Sequence, residues 1–163
     1  MEIQRKGEHL QISEIDPFLA ELLRQIPESA DPGGDRNAQS RLFSSPAAQN
    51  DPELCREWKQ YVQPELRRLF QSATETVAAD LQQLNGDDRP FANCTFGIPL
   101  ANADAWLSTL NQARLVIASK YSFTEAELCD HYRSPMGSRR DLGLFQVNFY
   151  GFLQELILRE IHE

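Results

Sequence analysis

Apolar residues recur at helical spacing along much of the chain, and the most regular stretch covers residues 101–121. Its apolar residues follow one another at steps of four, three and four: Trp106, Leu110, Ala113 and Ile117. This spacing places the four side chains on one face of an α-helix. Asn102 is a candidate N-cap, while Asp104 and Lys120 stand where the helix dipole favours an anion and a cation. The stretch is therefore predicted to be a buried helix.

Two segments in the first half of the chain begin with an aspartate followed by proline, which is a helix start signal. The first covers residues 16–27 and ends at Pro27, and the second covers residues 51–84. Pro64 lacks a backbone donor, so the second segment is predicted to be two helices or one helix with a kink. Its later part has an apolar side: Leu66, Leu69, Ala73, Val77, Leu81 and Leu84.

The last third of the chain predicts two more helices. Thr124 and Glu127 form a capping box for a short helix, and Asp141 opens a long final one. The final segment has a wide apolar face: Leu142, Phe145, Phe149, Phe152, Leu153, Leu156 and Ile157. Gly143 and Gly151 lower its helix propensity, so tertiary packing, with close approach of another helix at Gly151, is expected to stabilise it.

Strand signals are fewer than helix signals. Residues 2–13 form two short segments on either side of Lys6-Gly7, where Gly7 can supply the positive φ of a tight hairpin. Residues 91–98 contain Phe91, Thr95 and Phe96, which gives them some strand character. The predicted fold class is mainly α, a single-domain helical bundle with a small N-terminal β-hairpin.

Residues 28–50 are polar and rich in proline, glycine and serine, which predicts a long surface loop. Leu42 and Phe43 interrupt this polarity. Large apolar side chains in loops usually pack against their own protein, so we expect these two residues to anchor the loop. The alternative is that they form a docking segment for a partner.

Size and charge limit the classes of function. A chain of 163 residues is long enough for one core, and we expect residues 1–163 to form one domain. Charged residues make up 25% and hydrophobic residues 41%, as in ordinary globular proteins. The net charge of −8 makes an extended phosphate-binding face unfavourable, which counts against nucleic acid as a partner.

The N-terminal residues are charged and contain no apolar segment, and no apolar run is long enough for a membrane span. Cys55, Cys94 and Cys129 are odd in number and far apart, which is typical of reduced thiols rather than a disulfide framework. These features together predict a cytoplasmic protein without membrane contact.

Cys129 and His131 are the only thiol and imidazole separated by a single residue, and they form the one candidate enzyme site. A zinc site would need about four ligands with close pairs, and the three cysteines and three histidines lack that spacing. A cysteine nucleophile would need a base and an oxyanion site that no motif indicates. No glycine-rich phosphate loop or nucleophile elbow is present. No catalytic residue, metal site or cofactor is predicted.

Four arginines are candidates for interaction. Arg114 lies in the middle of the helix predicted at residues 101–121, where its stem can cover apolar surface and its head can find a carboxylate. An anion or partner contact is the alternative. Arg133, Arg139 and Arg140 form the densest basic cluster, which is either a solvated loop or a contact for nucleic acid or an acidic partner.

The order of the helices across residues 103–130 is loosely similar to a helix-turn-helix. Glu125 and Glu127, however, occupy the part that would have to be basic to read DNA. Contact with DNA is therefore disfavoured but stays an alternative.

Three segments together resemble a known family: Arg5-Lys6-Gly7, Arg41-Leu42-Phe43 followed by Asp51-Pro52-Glu53, and the run from Ala103 to Val116. They are similar to a bacterial family of unknown function known from actinobacteria. Its members are often encoded beside the adaptor of the Clp protease, and some are described as oxidative-stress regulators. The resemblance implies a mostly helical domain with a regulatory or interaction role. An oxidant sensor would need a close pair of thiols, which this chain lacks.

The leading hypothesis is a non-enzymatic, cytosolic regulatory or protein-interaction domain that binds a partner protein or a second copy of itself. It is motivated by the missing catalytic motifs and by the broad apolar helix faces. One alternative is a transcriptional or stress-response regulator that contacts DNA or a transcription factor. The other alternative is an enzyme that uses Cys129 and His131.

Overall fold

Helices dominate the fold, as the sequence predicts, in a computed structural model that describes residues 1–46, 51–85, 94–129 and 137–162. The helices are α1 (Pro17–Arg24), α2 (Ile26–Ser29), α3 (Arg36–Phe43), α4 (Pro52–Glu57), α5 (Gln63–Leu81), α6 (Ala103–Lys120), α7 (Glu125–Cys129) and α8 (Arg139–His162). The strands are β1 (Glu2–Lys6), β2 (His9–Ile15) and β3 (Cys94–Pro99). Among the described helices, none combines the length and the apolar character needed to cross a membrane.

The predicted hairpin is confirmed and is part of a three-stranded antiparallel sheet in the order β1-β2-β3. Gly7 has a φ of 61° in the tight turn between β1 and β2, a backbone conformation that glycine adopts without strain. Ile12 of β2 pairs with Phe96 of β3. The strand predicted at residues 91–98 is thus found from Cys94 onward, while residues 91–93 lie outside the described residues.

Helix α6 lies at the centre of the fold, where it contacts α2, α3, α5 and α8. Trp106 is fully buried in α6, which confirms the predicted buried helix at residues 101–121. The predicted N-cap bond of Asn102 is absent, because its Nδ2 instead donates to the carboxylate of Asp80 in α5. The start of α6 is therefore held by a neighbouring helix rather than by its own cap.

The long surface loop predicted at residues 28–50 is wrong in part, since α2 extends into it and α3 lies within it. Asp35 caps α3 by accepting hydrogen bonds of 2.8 Å from the N–H of Asn37 and 3.0 Å from that of Ala38. Ala38 and Leu42 then face inward at helical spacing. Because this helix is short and its outer face is polar, its sequence led to the prediction of a loop. Pro27 does not end the first helix either, since it lies in the first turn of α2.

The break predicted near Pro64 exists, but it is a π-helical turn (Trp58–Val62) that joins α4 to α5. This turn accommodates one extra residue, so the helix continues past the proline. Leu69 was predicted on the apolar core side of this segment and is instead exposed. In the C-terminal part, Thr124 and Glu127 form the predicted capping box of α7. Helix α8 begins at Arg139, slightly before the predicted Asp141.

Candidate functional site

Leu42 and Phe43 are buried at the end of α3, so they are anchors and not an exposed docking segment. They pack in a small cluster with Val116 of α6, and the Phe43 ring lies 5.7 Å from that of Phe70 in α5. The guanidinium of Arg67 lies over the Phe43 ring, 4.0 Å from its centre. This cluster fixes α3 to the body of the fold.

Arg114 is also held by contacts within the protein, between α6 and α8. One of its guanidinium nitrogens donates a hydrogen bond of 2.7 Å to Oε1 of Gln154 in α8, and Gln154 Nε2 donates to the carbonyl of Leu107. The guanidinium of Arg114 therefore binds the side-chain amide of Gln154 rather than the predicted carboxylate. It lies against Gly151, whose missing side chain leaves room for it, as the predicted close approach at this glycine requires. Arg114 Nε is buried without a hydrogen-bond partner among the described residues.

The predicted arginine cluster is only partly described, because Arg133 lies outside the described residues. Arg140 forms an ion pair of 2.7 Å with Glu127 of α7, and its guanidinium lies 4.7 Å from the Phe123 ring centre. The Thr124 N–H and hydroxyl donate to the same carboxylate, and these bonds together with Arg140 lower the pKa of Glu127 to about 2. Arg140 therefore joins α7 to α8.

The distance between the candidate enzyme residues Cys129 and His131 is not defined, because His131 lies outside the described residues. Cys129 is an exposed thiol at the end of α7, whereas Cys55 and Cys94 are half-buried. Within residues 1–46, 51–85, 94–129 and 137–162, no group of three or more histidine, cysteine, aspartate or glutamate side chains could hold a metal ion.

A cleft of about 830 Å³ lies between α1, α2, α6 and α8 and gathers ionisable groups that the sequence did not connect. Its charged lining residues are Glu21, Glu28, Asp31, Asp35, Lys120 and Arg139. Two of these carboxylates stabilise local structure, since Asp35 caps α3 and Asp31 accepts a hydrogen bond from the N–H of Gly33. Glu21 accepts from Gln25. Three of the four acidic side chains that line this cleft therefore accept hydrogen bonds from nearby residues of the same chain.

A second feature is an exposed apolar surface along α4, the π-helical turn and α5. We call it the α4–α5 stripe, and it consists of Leu54 (46% exposed), Tyr61 (67%), Val62 (40%) and Leu69 (51%). The opposite side of the same helix is fixed to α3, because Trp58 Nε1 donates 3.1 Å to the carbonyl of Phe43. Gln63 Nε2 donates to the same carbonyl at 3.4 Å. The stripe therefore has a defined orientation toward solvent.

Sequence reasoning missed the stripe because Tyr61, Val62 and Leu69 fit the same helical periodicity as the core residues. The π-helical turn changes which side chains point inward, and its position is set by the contacts of Trp58 and Gln63 with α3. One signal was present in the sequence: Val62 and Leu69 are separated by seven residues, with Leu66 and Phe70 on a neighbouring line. This spacing of i, i+4, i+7 and i+8 is that of one apolar stripe, of which Val62 and Leu69 form the exposed edge.

These features define a class of protein: a mainly helical domain with a three-stranded sheet, a charged open cleft and an exposed apolar helix. The chain belongs to the family described as Domain of unknown function (DUF2017), whose model matches residues 5–161. The match spans nearly all of the chain, which agrees with a family of unknown function as the sequence suggested. Comparisons with curated proteins and with solved structures gave no match.

Proposed function

We propose that this chain acts by binding a protein and not by catalysing a reaction, and that the α4–α5 stripe is its contact surface. The observation that carries this proposal is that four large apolar side chains are exposed along α4, the π-helical turn and α5. Grouped apolar side chains on a monomer surface commonly mark protein contacts, whereas single ones are ordinary.

Other exposed apolar side chains give less support for a contact surface. Phe18 is exposed in part, but its ring lies 5.6 Å from that of Phe145 in α8. Phe152 and Leu158 are exposed near the end of α8 and line a shallow pocket with charged neighbours. The α4–α5 stripe is longer, and its aromatic and aliphatic members resemble the anchors found at the centres of protein interfaces.

A non-enzymatic role has support from the way the candidate polar groups are used. Asp31 and Asp35 of the cleft are hydrogen-bonded to backbone N–H groups, so their positions have a structural explanation. Contact with DNA has less support, because Arg140 is engaged by Glu127 and Phe123. The resemblance to a family with stress regulators is compatible with a regulatory role in the bacterial cytosol. It does not by itself point to a redox switch in this chain.

Site-specific photo-crosslinking in the native cell tests the proposal. The photoreactive residue p-benzoylphenylalanine replaces Leu54 or Leu69 in the stripe, and Leu158 in the matched control position on α8. We expect both stripe positions to form a covalent adduct with the same protein, while the control position does not. Absence of an adduct from both stripe positions, in protein that remains folded, would overturn the proposal.

A further inference from the structure

We propose that the protein covering the α4–α5 stripe is a second copy of this chain, with the two helices antiparallel around a two-fold axis at Val62. This inference rests on the proposed function and specifies its partner. In a two-fold dimer the same surface is used on both copies, so the surface must be complementary to itself after rotation. Both the apolar spacing and the charge order of the stripe satisfy this condition.

The apolar spacing is symmetric about Val62 because of the π-helical turn. On the inward side of the helix, Trp58 and Gln63 contact the same carbonyl of α3 although they are five residues apart. The turn therefore accommodates one extra residue, so the step of eight from Leu54 to Val62 is equivalent to a step of seven in an ordinary α-helix. Leu69 follows Val62 by seven residues.

Each outer leucine thus lies about 10 Å along the helix axis from Val62, in opposite directions. A two-fold rotation at Val62 places Leu54 of one copy against Leu69 of the other and brings the two Val62 side chains together. Each leucine thereby gains an apolar neighbour from the second copy. Tyr61, the most exposed member of the stripe, lies at the edge of the same contact.

The charged residues beside the stripe are also self-complementary in this arrangement. Arg56 pairs with Glu53 at 3.6 Å, and Arg68 pairs with Glu65 at 2.6 Å, so both pairs have the acid three residues before the base. After antiparallel rotation, Glu53 of one copy lies about 3 Å along the axis from Arg68 of the other. Arg56 lies equally near Glu65 of the second copy. Along the same axis, Glu57 of the first copy lies between Glu65 and Arg68 of the second copy.

A parallel arrangement would lose this complementarity, since it places each acid beside the same acid of the second copy and each base beside the same base. Like charges placed together in this way disfavour association. The observations therefore favour the antiparallel dimer. A single helix–helix contact of this length is smaller than a standard protein interface, so we expect a dimer that dissociates at about micromolar concentration.

Sedimentation equilibrium of the purified chain over a dilution series tests the inference. We expect a dimer whose dissociation constant rises about tenfold or more in Leu69→Glu, because each dimer then loses two apolar contacts. Leu158→Glu, at a leucine of similar exposure on α8, is the matched control and should leave the dissociation constant unchanged. A dimer that is insensitive to Leu69→Glu would overturn the inference.

Charge-swapped pairs test the antiparallel geometry without removing any ion pair within the chain. The double variants E53R/R56E and E65R/R68E each keep their own pair but place like charges across the interface. We expect each to raise the dissociation constant about fivefold. The quadruple variant restores complementarity and should recover the original dissociation constant. Failure of this recovery would overturn the antiparallel arrangement.

The outcomes separate this inference from the proposed function. A chain that stays monomeric at all concentrations, but whose Leu54 and Leu69 positions crosslink to a different protein in the cell, overturns the second copy as partner and leaves the protein-binding role standing. A monomeric chain with no crosslink from either position overturns both. A crosslinked product with twice the mass of the chain supports both.

Discussion

The indole Nε1 of Trp106 donates a hydrogen bond of 2.9 Å to Oδ2 of Asp80, and both residues are buried. Asn102 Nδ2 lies 3.0 Å from each oxygen of the same carboxylate. One acidic side chain of α5 therefore satisfies two donors from the start of α6. Buried polar groups need such partners, since an unsatisfied donor loses its bonds to water without compensation.

Replacing Asp80 with alanine leaves the Trp106 N–H and the Asn102 amide without their acceptor. We expect Asp80→Ala to lower the free energy of unfolding by roughly 2–4 kcal/mol. Asp80→Asn, which keeps one acceptor oxygen, should cause a smaller loss. Urea unfolding followed by circular dichroism measures both changes. A loss below about 0.5 kcal/mol in the alanine variant would contradict the structural role of this carboxylate.

Helical periodicity was a good guide to α1, α5, α6 and α8, because these helices each bury an apolar side and the spacing of that side is visible in the sequence. Local capping chemistry was equally informative for α7, where Thr124 and Glu127 make the predicted bonds. The hairpin was also predicted correctly, since Gly7 adopts the expected positive φ. These elements depend on interactions between residues that are close in sequence.

The sequence was less informative where the outcome depends on contacts between distant residues. Asp80 reads as a surface position of an amphipathic helix, and only the fold places it against Trp106. Leu69 was predicted on the apolar core side of its helix, but the contacts of Trp58 and Gln63 with α3 turn the opposite side of the helix inward and leave Leu69 exposed. The cleft is likewise formed by segments far apart in the chain.

Gly143 and Gly151 both lie in α8, but they approach different neighbours. A Cβ atom added at Gly143 would lie 2.6 Å from the ring of Tyr121, closer than side-chain contacts allow. A Cβ atom at Gly151 would lie 3.2 Å from the guanidinium carbon of Arg114, a distance that a small movement of a flexible side chain can relieve. The two glycines should therefore respond differently to alanine.

We expect Gly143→Ala to lower the free energy of unfolding by roughly 1–3 kcal/mol, since the aromatic ring has to move. Gly151→Ala should be nearly neutral, because its gain in helix propensity of up to about 1 kcal/mol is offset by displacement of Arg114. In an Arg114→Met background the same substitution should become stabilising. Additive effects of Gly151→Ala and Arg114→Met in this double-mutant cycle would contradict the proposed contact.

Glu127 links the stability of the α7–α8 contact to acid pH. Its pKa is lowered to about 2 by the hydrogen bond from the Thr124 N–H, by Arg140 and by the Thr124 hydroxyl. A carboxylate whose pKa is lowered by folding stabilises the fold above its unfolded pKa of about 4.5. That contribution is lost as the pH falls from about 4.5 toward about 2.

We therefore expect Glu127→Gln to be less stable than the unchanged chain at neutral pH, with a difference that shrinks as the pH falls below about 4.5. Urea unfolding at neutral and acid pH measures the difference. Glu125→Gln, at an exposed position of the same helix, keeps the ion pair between Glu127 and Arg140 and is the control. The same pH dependence in both variants would count against the Glu127–Arg140 contact.

Tyr150 provides the corresponding test at alkaline pH. Its hydroxyl donates a hydrogen bond of 2.9 Å to the carbonyl of Leu22, and burial raises its pKa to about 12. A tyrosine whose pKa is raised by folding stabilises the fold fully below the unfolded pKa of about 10. The contribution is then lost as the pH rises from about 10 to about 12.

Absorbance titration of the phenolates should show a late ionisation step near pH 12 that belongs to Tyr150. This late step should disappear in Tyr150→Phe, whereas Tyr61→Phe, at an exposed position, should leave it in place. Tyr150→Phe also loses the bond to Leu22, so we expect a loss of about 1 kcal/mol in the free energy of unfolding at neutral pH. Its stability should then fall less steeply above pH 10 than that of the unchanged chain. A late ionisation that persists in Tyr150→Phe would show that another tyrosine is the buried one.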